Sequence, residues 1–121
     1  MSHYQAPLRD MRFVIHELVG SGPVCALPAY ADCDAALIDA VLEEAARFAG
    51  DVLSPLNPVG DRNGARWLAG ADGKGEVRTA AGFADAYRQF AEGGWMALPC
   101  PPVHGGQGLP RLLAVAVSEM W

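Results

Sequence analysis

A mostly α fold carrying one small β-hairpin is what this sequence predicts, on three observations. Apolar residues recur at spacings of three and four in four separate stretches, the period of a helix with one buried side. The dipeptide Asp72-Gly73 is a strong hairpin-turn signal with short extended runs on both sides. Glycine and proline clusters separate these stretches from one another. At 121 residues the chain has the length of a single domain able to bury a modest core.

The first helix is expected to start near Pro7, where a missing N–H costs nothing, and to stop at Gly20. Met11, Val14, Ile15 and Leu18 form its apolar side, with Arg9, Asp10, Arg12 and Glu17 facing water. Ser21 to Ala31 contains Gly22, Pro23 and Pro28 and reads as a loop. Asp34 is the expected N-cap of a second helix, whose buried stripe is Ile38, Val41, Ala45, Phe48 and Val52. Ser54-Pro55 and Asn57-Pro58 end or bend it.

Two extended runs follow, Ala65–Leu68 and Glu76–Thr79, carrying Trp67 and Val77. A hairpin this small is not stable alone, so it is expected to lie against the helices. A third helix runs from about Ala81 to Glu92, with Phe83, Tyr87 and Phe90 on one side and Gly93-Gly94 as its C-cap. Trp95 begins an apolar connector holding Pro99, Pro101 and Pro102. The glycine turn Gly105-Gly106-Gln107-Gly108-Leu109 then leads to Pro110, which opens a last helix bearing Leu112, Leu113, Ala116, Val117 and Met120. No cap closes that helix before Trp121, so the chain is expected to be part of a longer polypeptide. Left unpaired, its apolar stripe predicts self-association, as in a homo-oligomer.

Composition narrows the function. The net charge is -5, a single lysine (Lys74) accompanies dispersed arginines, and no basic patch can be drawn, so nucleic acid is not an expected partner. Three cysteines, Cys25, Cys33 and Cys100, with no secretory leader argue against a disulfide scaffold and for a cytoplasmic setting. No apolar run is long enough for a membrane span.

Candidate chemistry is sparse. His3, His16, His104 and the cysteines show no metal-ligand spacing, so no metal is expected. Glu43 and Glu44 diverge by about 100° on a helix. Asp39, Glu43 and Arg47 read as a solvated face in which Arg47 offsets Glu43. Lys74 follows Gly73 but no Ser or Thr comes next, which excludes a P-loop. Gly20-Ser21-Gly22 lacks the third glycine of a dinucleotide fingerprint. Gly105-Gly106-Gln107 matches the tripeptide of class I peptide-release factors, but an acidic chain lacks the charge a ribosome-binding protein needs. Cys100 and His104 could pair as thiol and base, yet Pro99 and Pro101 offer no N–H for an oxyanion hole.

Longer motifs carry a family resemblance. The run Tyr4-Gln5-Ala6-Pro7-Leu8-Arg9-Asp10-Met11-Arg12-Phe13-Val14 resembles the amino-terminal extension of a bacterial subgroup of acyl-CoA dehydrogenases. Val52-Leu53-Ser54-Pro55-Leu56-Asn57 resembles the end of the family's early long helix, and Gly82-Phe83 to Gly94-Trp95 its next helix. Gly105-Gly106-Gln107-Gly108-Leu109-Pro110 resembles the turn before the helix that leads into the acyl pocket, and Ser118-Glu119-Met120-Trp121 the middle of that helix. Val103-His104 stands where the family usually has Glu-Tyr.

The resemblance implies the helical N-terminal domain of the acyl-CoA dehydrogenase fold, with residues 1–33 as the extension and 34–121 as the domain itself, cut within its last helix. It implies an oxidoreductase of fatty-acid or related metabolism that converts acyl-CoA to trans-2-enoyl-CoA with FAD as hydride acceptor. The family's catalytic glutamate and most of its flavin contacts lie in segments beyond those matched here. No catalytic, cofactor-binding or substrate-binding residue therefore carries over, Glu119 included. Gly105, Gly106, Gly108, Leu109 and Pro110 carry over as a structural turn. The chain alone is expected to be inactive and free of FAD, walling the acyl pocket of the parent enzyme. The alternative is a stand-alone helical interaction module that pairs through the last helix.

Overall fold

A computed structural model of the chain describes residues 3–71 and 73–121. The described residues form six α-helices, several 3₁₀ and π turns, and one two-stranded sheet, as the helical periodicity requires. Helix α1 (Leu8–Arg12) continues through widened turns over Phe13–Val19 and stops at Gly20, whose φ is +80°. Met11 and Ile15 are buried, but Leu18 and Val14 are exposed. The i→i+5 closure opens each turn, so Leu18 falls behind the stripe that a regular helix would give it. Ser21 to Ala31 is not a plain loop. Ser21–Cys25 forms helix α2, and Pro28–Tyr30 a single 3₁₀ turn. Pro23 sits within the first turn of α2, where its missing donor breaks no helical bond.

Helix α3 (Ala35–Phe48) is the central element. Its cap is the expected one: the Asp34 carboxylate accepts the Leu37 N–H at 2.7 Å. Ile38, Leu42, Ala45 and Ala49 are buried along it, while Val41 and Phe48 are half-buried at the edge of that stripe. The helical path does not end at Ser54-Pro55. It loosens over Ala49–Leu53, tightens over Ser54–Leu56 and resumes as helix α4 (Asn57–Asn63). Pro55 has no N–H and crowds the carbonyl four residues back, so the ladder shifts. The Ser54 N–H accordingly donates to the Ala49 carbonyl, an i→i+5 bond.

Strands β1 (Arg66–Ala69) and β2 (Gly75–Arg78) pair antiparallel, with Trp67 opposite Val77 and Leu68 opposite Glu76. Asp72 of the expected turn lies outside the described residues, and Gly73 has φ of +76°. The hairpin does not lie against the helices, for every residue of both strands is exposed. Its consolidation is internal. The Trp67 indole covers the Gly75 backbone so closely that a Cβ there would lie 1.9 Å from Nε1.

Helix α5 (Phe83–Glu92) and helix α6 (Arg111–Ser118) complete the body. Leu113 and Val117 of α6, and Met120 just beyond it, are buried with Met11, Ile15, Ile38 and Leu42 in one core. The stripe expected to be exposed and to drive self-association is thus covered by the chain itself, chiefly by α3. The connector between α5 and α6 plugs the core with Leu98 and Leu109. Three bonds clamp its two arms: Gln107 N–H to the Ala97 carbonyl (3.1 Å), Gly108 N–H to Cys100 (2.9 Å) and Leu109 N–H to Leu98 (2.9 Å).

Candidate functional site

Where the path from α3 into α4 loosens and bends, α5 crosses it and an apolar groove of about 770 Å³ opens. Ala49, Leu53, Leu56 and Pro58 line one side, and Phe83, Ala86, Tyr87 and Phe90 the other. Close contacts hold the sides in register. A Cβ on Gly60 would meet the Phe83 ring at 2.6 Å, and one on Gly82 (φ +88°) would meet Leu56 at the same distance. Tyr4 reaches over the rim and donates its backbone N–H to Ser54 Oγ at 3.1 Å. Burial raises the Tyr4 phenol above its ordinary pKa, and the Glu119 charge adds to the effect.

An aromatic cluster adjoins the groove through Phe90 and Trp121. The Trp121 ring lies edge-on to Phe90 at 5.3 Å, to Trp95 at 5.4 Å and to Phe48 at 6.2 Å between centroids. Phe48 also stacks on Trp95 at 6.3 Å. These are favourable ring geometries. No side chain lining the groove is charged, and its polar groups are those of Tyr4, Ser54, Asn57, Tyr87 and the Trp121 indole. Such a lining suits an apolar chain or an apolar helix face with a few oriented polar contacts.

The glycine turn lies beside this body. Gly105 (φ +80°) and Gly108 (φ +64°) occupy the left-handed region. Gly106 packs onto the Cys100 carbonyl, where a Cβ would lie 2.0 Å from the oxygen. Leu109 and Pro110 are buried and start α6. Val103 and His104, the departure from the family pattern, are exposed on the outside of the loop. Cys100 is exposed as well.

A second cluster was not legible in the sequence. His16 bridges Ser21 and Asp39, with Nδ1 2.8 Å from Ser21 Oγ and Nε2 3.0 Å from Asp39 Oδ1. Arg12 Nε reaches the same Asp39 oxygen at 3.2 Å and its other arm binds Glu43. Asp39 and Glu43 therefore bridge to α1 from a face that stays partly solvated, and Arg47 pairs with Glu44 instead of Glu43. The order Ser–His–Asp resembles a hydrolase triad with the ring reversed, since there the serine faces Nε2 and the aspartate Nδ1. Ser21 is 6 % exposed, however, and none of these three residues lines a described cleft. The cluster acts as a latch between α1, α2 and α3.

The hydrogen bond from His16, with Arg12 beside it, holds the Asp39 carboxyl below its ordinary value of 3.8. A depressed carboxyl pKa contributes stability that is complete above the unfolded value and is lost as pH falls through the folded one. The urea midpoint is therefore expected to drop as pH is lowered below 3.8. Asp39→Asn is expected to be less stable at neutral pH and to lose part of that acid-side drop. Equal acid slopes for the two proteins would remove Asp39 from the account.

No family model matches the chain. It is similar to 3-methylmercaptopropionyl-CoA dehydrogenase of Ruegeria pomeroyi, at 39% identity over 117 residues, which is 97% of this chain and 19% of that protein. The chain thus spans about a fifth of that relative's length. No helix among the described residues is long and apolar enough to cross a membrane. An identity of this level, running almost from one end of the chain to the other, agrees with the motifs of the opening run and the glycine turn. The chain is homologous to an acyl-CoA dehydrogenase over nearly its whole length.

Proposed function

We propose that this chain is the N-terminal helical portion of an FAD-dependent acyl-CoA dehydrogenase, with residues 1–33 as an extension and 34–121 as the beginning of the helical domain. The parent enzyme would oxidise an acyl-CoA thioester to the trans-2-enoyl-CoA. The thioester named for the relative is 3-methylmercaptopropionyl-CoA. The observation that carries this reading is the 39% identity across 97% of the chain. The groove supplies its physical content, since an uncharged, aromatic-flanked trough is a surface that the rest of such an enzyme would cover.

In the parent, FAD supplies the acceptor for the hydride. The groove does not fit that group: a dinucleotide brings two phosphates, which need arginine, lysine or a helix N-terminus, and the lining has no charged side chain. No step of the oxidation is assigned to these residues. Their share is to pack against the remaining domains, keep water from the acyl side of the active site and so strengthen the electrostatics at the reacting carbons. The turn of Gly105, Gly106, Gly108, Leu109 and Pro110 sets the direction in which α6 leaves toward that pocket.

The test is a chimera in which this chain replaces the matching segment of the Ruegeria pomeroyi protein. It is expected to purify with flavin and to oxidise acyl-CoA, whereas the isolated chain shows neither flavin absorbance nor turnover. A folded chimera without flavin, or an isolated chain that turns over, would refute the reading.

A further inference from the structure

Two thiols lie against each other just ahead of α3. Cys25 ends α2, Cys33 precedes the Asp34 cap, and their Sγ atoms are 3.7 Å apart. Cys33 is buried in the core, while Cys25 is half-buried and packs on it. The segment between them is held by its own backbone. Leu27 N–H donates to Val24 (3.2 Å), Tyr30 N–H to Leu27 (2.9 Å) and Cys33 N–H to Tyr30 (2.8 Å). The two sulfurs are therefore presented to each other by turns that do not depend on them.

We propose that Cys25 and Cys33 are a reversible thiol–disulfide pair that exchanges with a small disulfide of the oxidised-glutathione class. Their separation exceeds the bonded distance of about 2.05 Å by less than 2 Å, within reach of side-chain rotation. In the first step the half-buried Cys25 gives up its proton to solvent and its thiolate attacks one glutathione sulfur. The glutathione S–S bond breaks and one glutathione thiolate leaves. Cys33 then loses its proton and attacks Cys25 Sγ, releasing the second glutathione thiolate. Two protein thiols are oxidised to one disulfide, and one small disulfide is reduced to two thiols.

Burial assigns the order. It holds the Cys33 thiol up at about 11, with the neighbouring Cys25 and the Asp34 charge adding to the effect. The half-buried Cys25 therefore attacks first and the buried Cys33 closes the ring. The bond would staple the end of α2 to the head of α3. Cys100 is exposed in a separate loop and serves as an internal comparison.

The experiment incubates the folded chain with oxidised glutathione, traps remaining thiols by alkylation and maps the peptides by mass. The expected map has a peptide joining residues 25 and 33 that is lighter by two hydrogens, and a separate peptide with glutathione on Cys100. Cys33→Ala is expected to leave Cys25 as a lasting glutathione adduct. The proposal is overturned if the folded wild-type chain keeps glutathione on Cys25. It is equally overturned if both thiols stay free to alkylate while Cys100 reacts, or if either pairs with Cys100 instead. The wild-type map decides alone if the variant does not fold.

Discussion

Leu113→Ala is expected to remove about 2–5 kcal/mol of unfolding free energy, the range for emptying a fully buried leucine site. A chain of this length holds about 5–15 kcal/mol in total, so the change is a large fraction of what keeps it folded. Leu113 is 0 % exposed and shares the core with Ile38 and Leu42 of α3. Deleting its branched end leaves a cavity that the stiff helix pair collapses around only in part. Val115, two residues on, is 71 % exposed on the opposite side of α6. Val115→Ala is expected to change stability by no more than about 0.5 kcal/mol. Urea titrations of both variants check the pair. Equal mild effects would mean that α6 is not seated in this core and would revive the exposed stripe.

Gly106→Ala is expected to cost about 3 kcal/mol, at the upper end of overpacking effects. The atoms that a new Cβ meets are backbone: the Cys100 carbonyl oxygen at 2.0 Å and its carbon at 2.4 Å. They have little room to retreat. Pro101 and Pro102 fix their own φ angles, and the Cys100 carbonyl is held by the Gly108 N–H at 2.9 Å. Relief would pull on the clamps that keep Leu98 and Leu109 in the core. Gly22, inside α2, has nothing but its chain neighbours within 4 Å of a built Cβ. Gly22→Ala is expected to change stability by less than about 1 kcal/mol, because the gain in helix propensity is offset by the crowding of a new Cβ against the Pro23 ring. Thermal melts of the two variants, the first falling and the second nearly unmoved, are the check.

Local chemistry was legible in the sequence, and contacts between distant segments were not. The Asp34 cap, the stop at Gly20 and the two extended runs carrying Trp67 and Val77 follow from residues close to one another in the chain. Leu18 was misplaced because the shift from i→i+4 to i→i+5 bonding after Arg12 leaves no mark in composition. Helix α2 was hidden because Gly22-Pro23 reads as a breaker, although proline in a first turn breaks nothing. The hairpin's outward position depends on the Trp67 indole finding its own glycine partner, a contact that alternation alone does not reveal. Phe48, Phe90, Trp95 and Trp121 stand singly in four segments, and only the packing of α3, α5 and the chain end brings them together. The latch of His16 between Ser21 and Asp39 is of the same kind.

The proposed role rests on the groove between the α3–α4 bend and α5 being an internal surface of a larger enzyme. Tyr87 lines that groove and is 72 % exposed in this chain. Hydroxyl-radical footprinting of Tyr87 in the isolated chain and in the chimera measures this directly. The account predicts rapid labelling in the isolated chain and labelling at the level of a buried residue in the chimera. Equal labelling in both would mean that the groove faces solvent in the whole enzyme and is no wall.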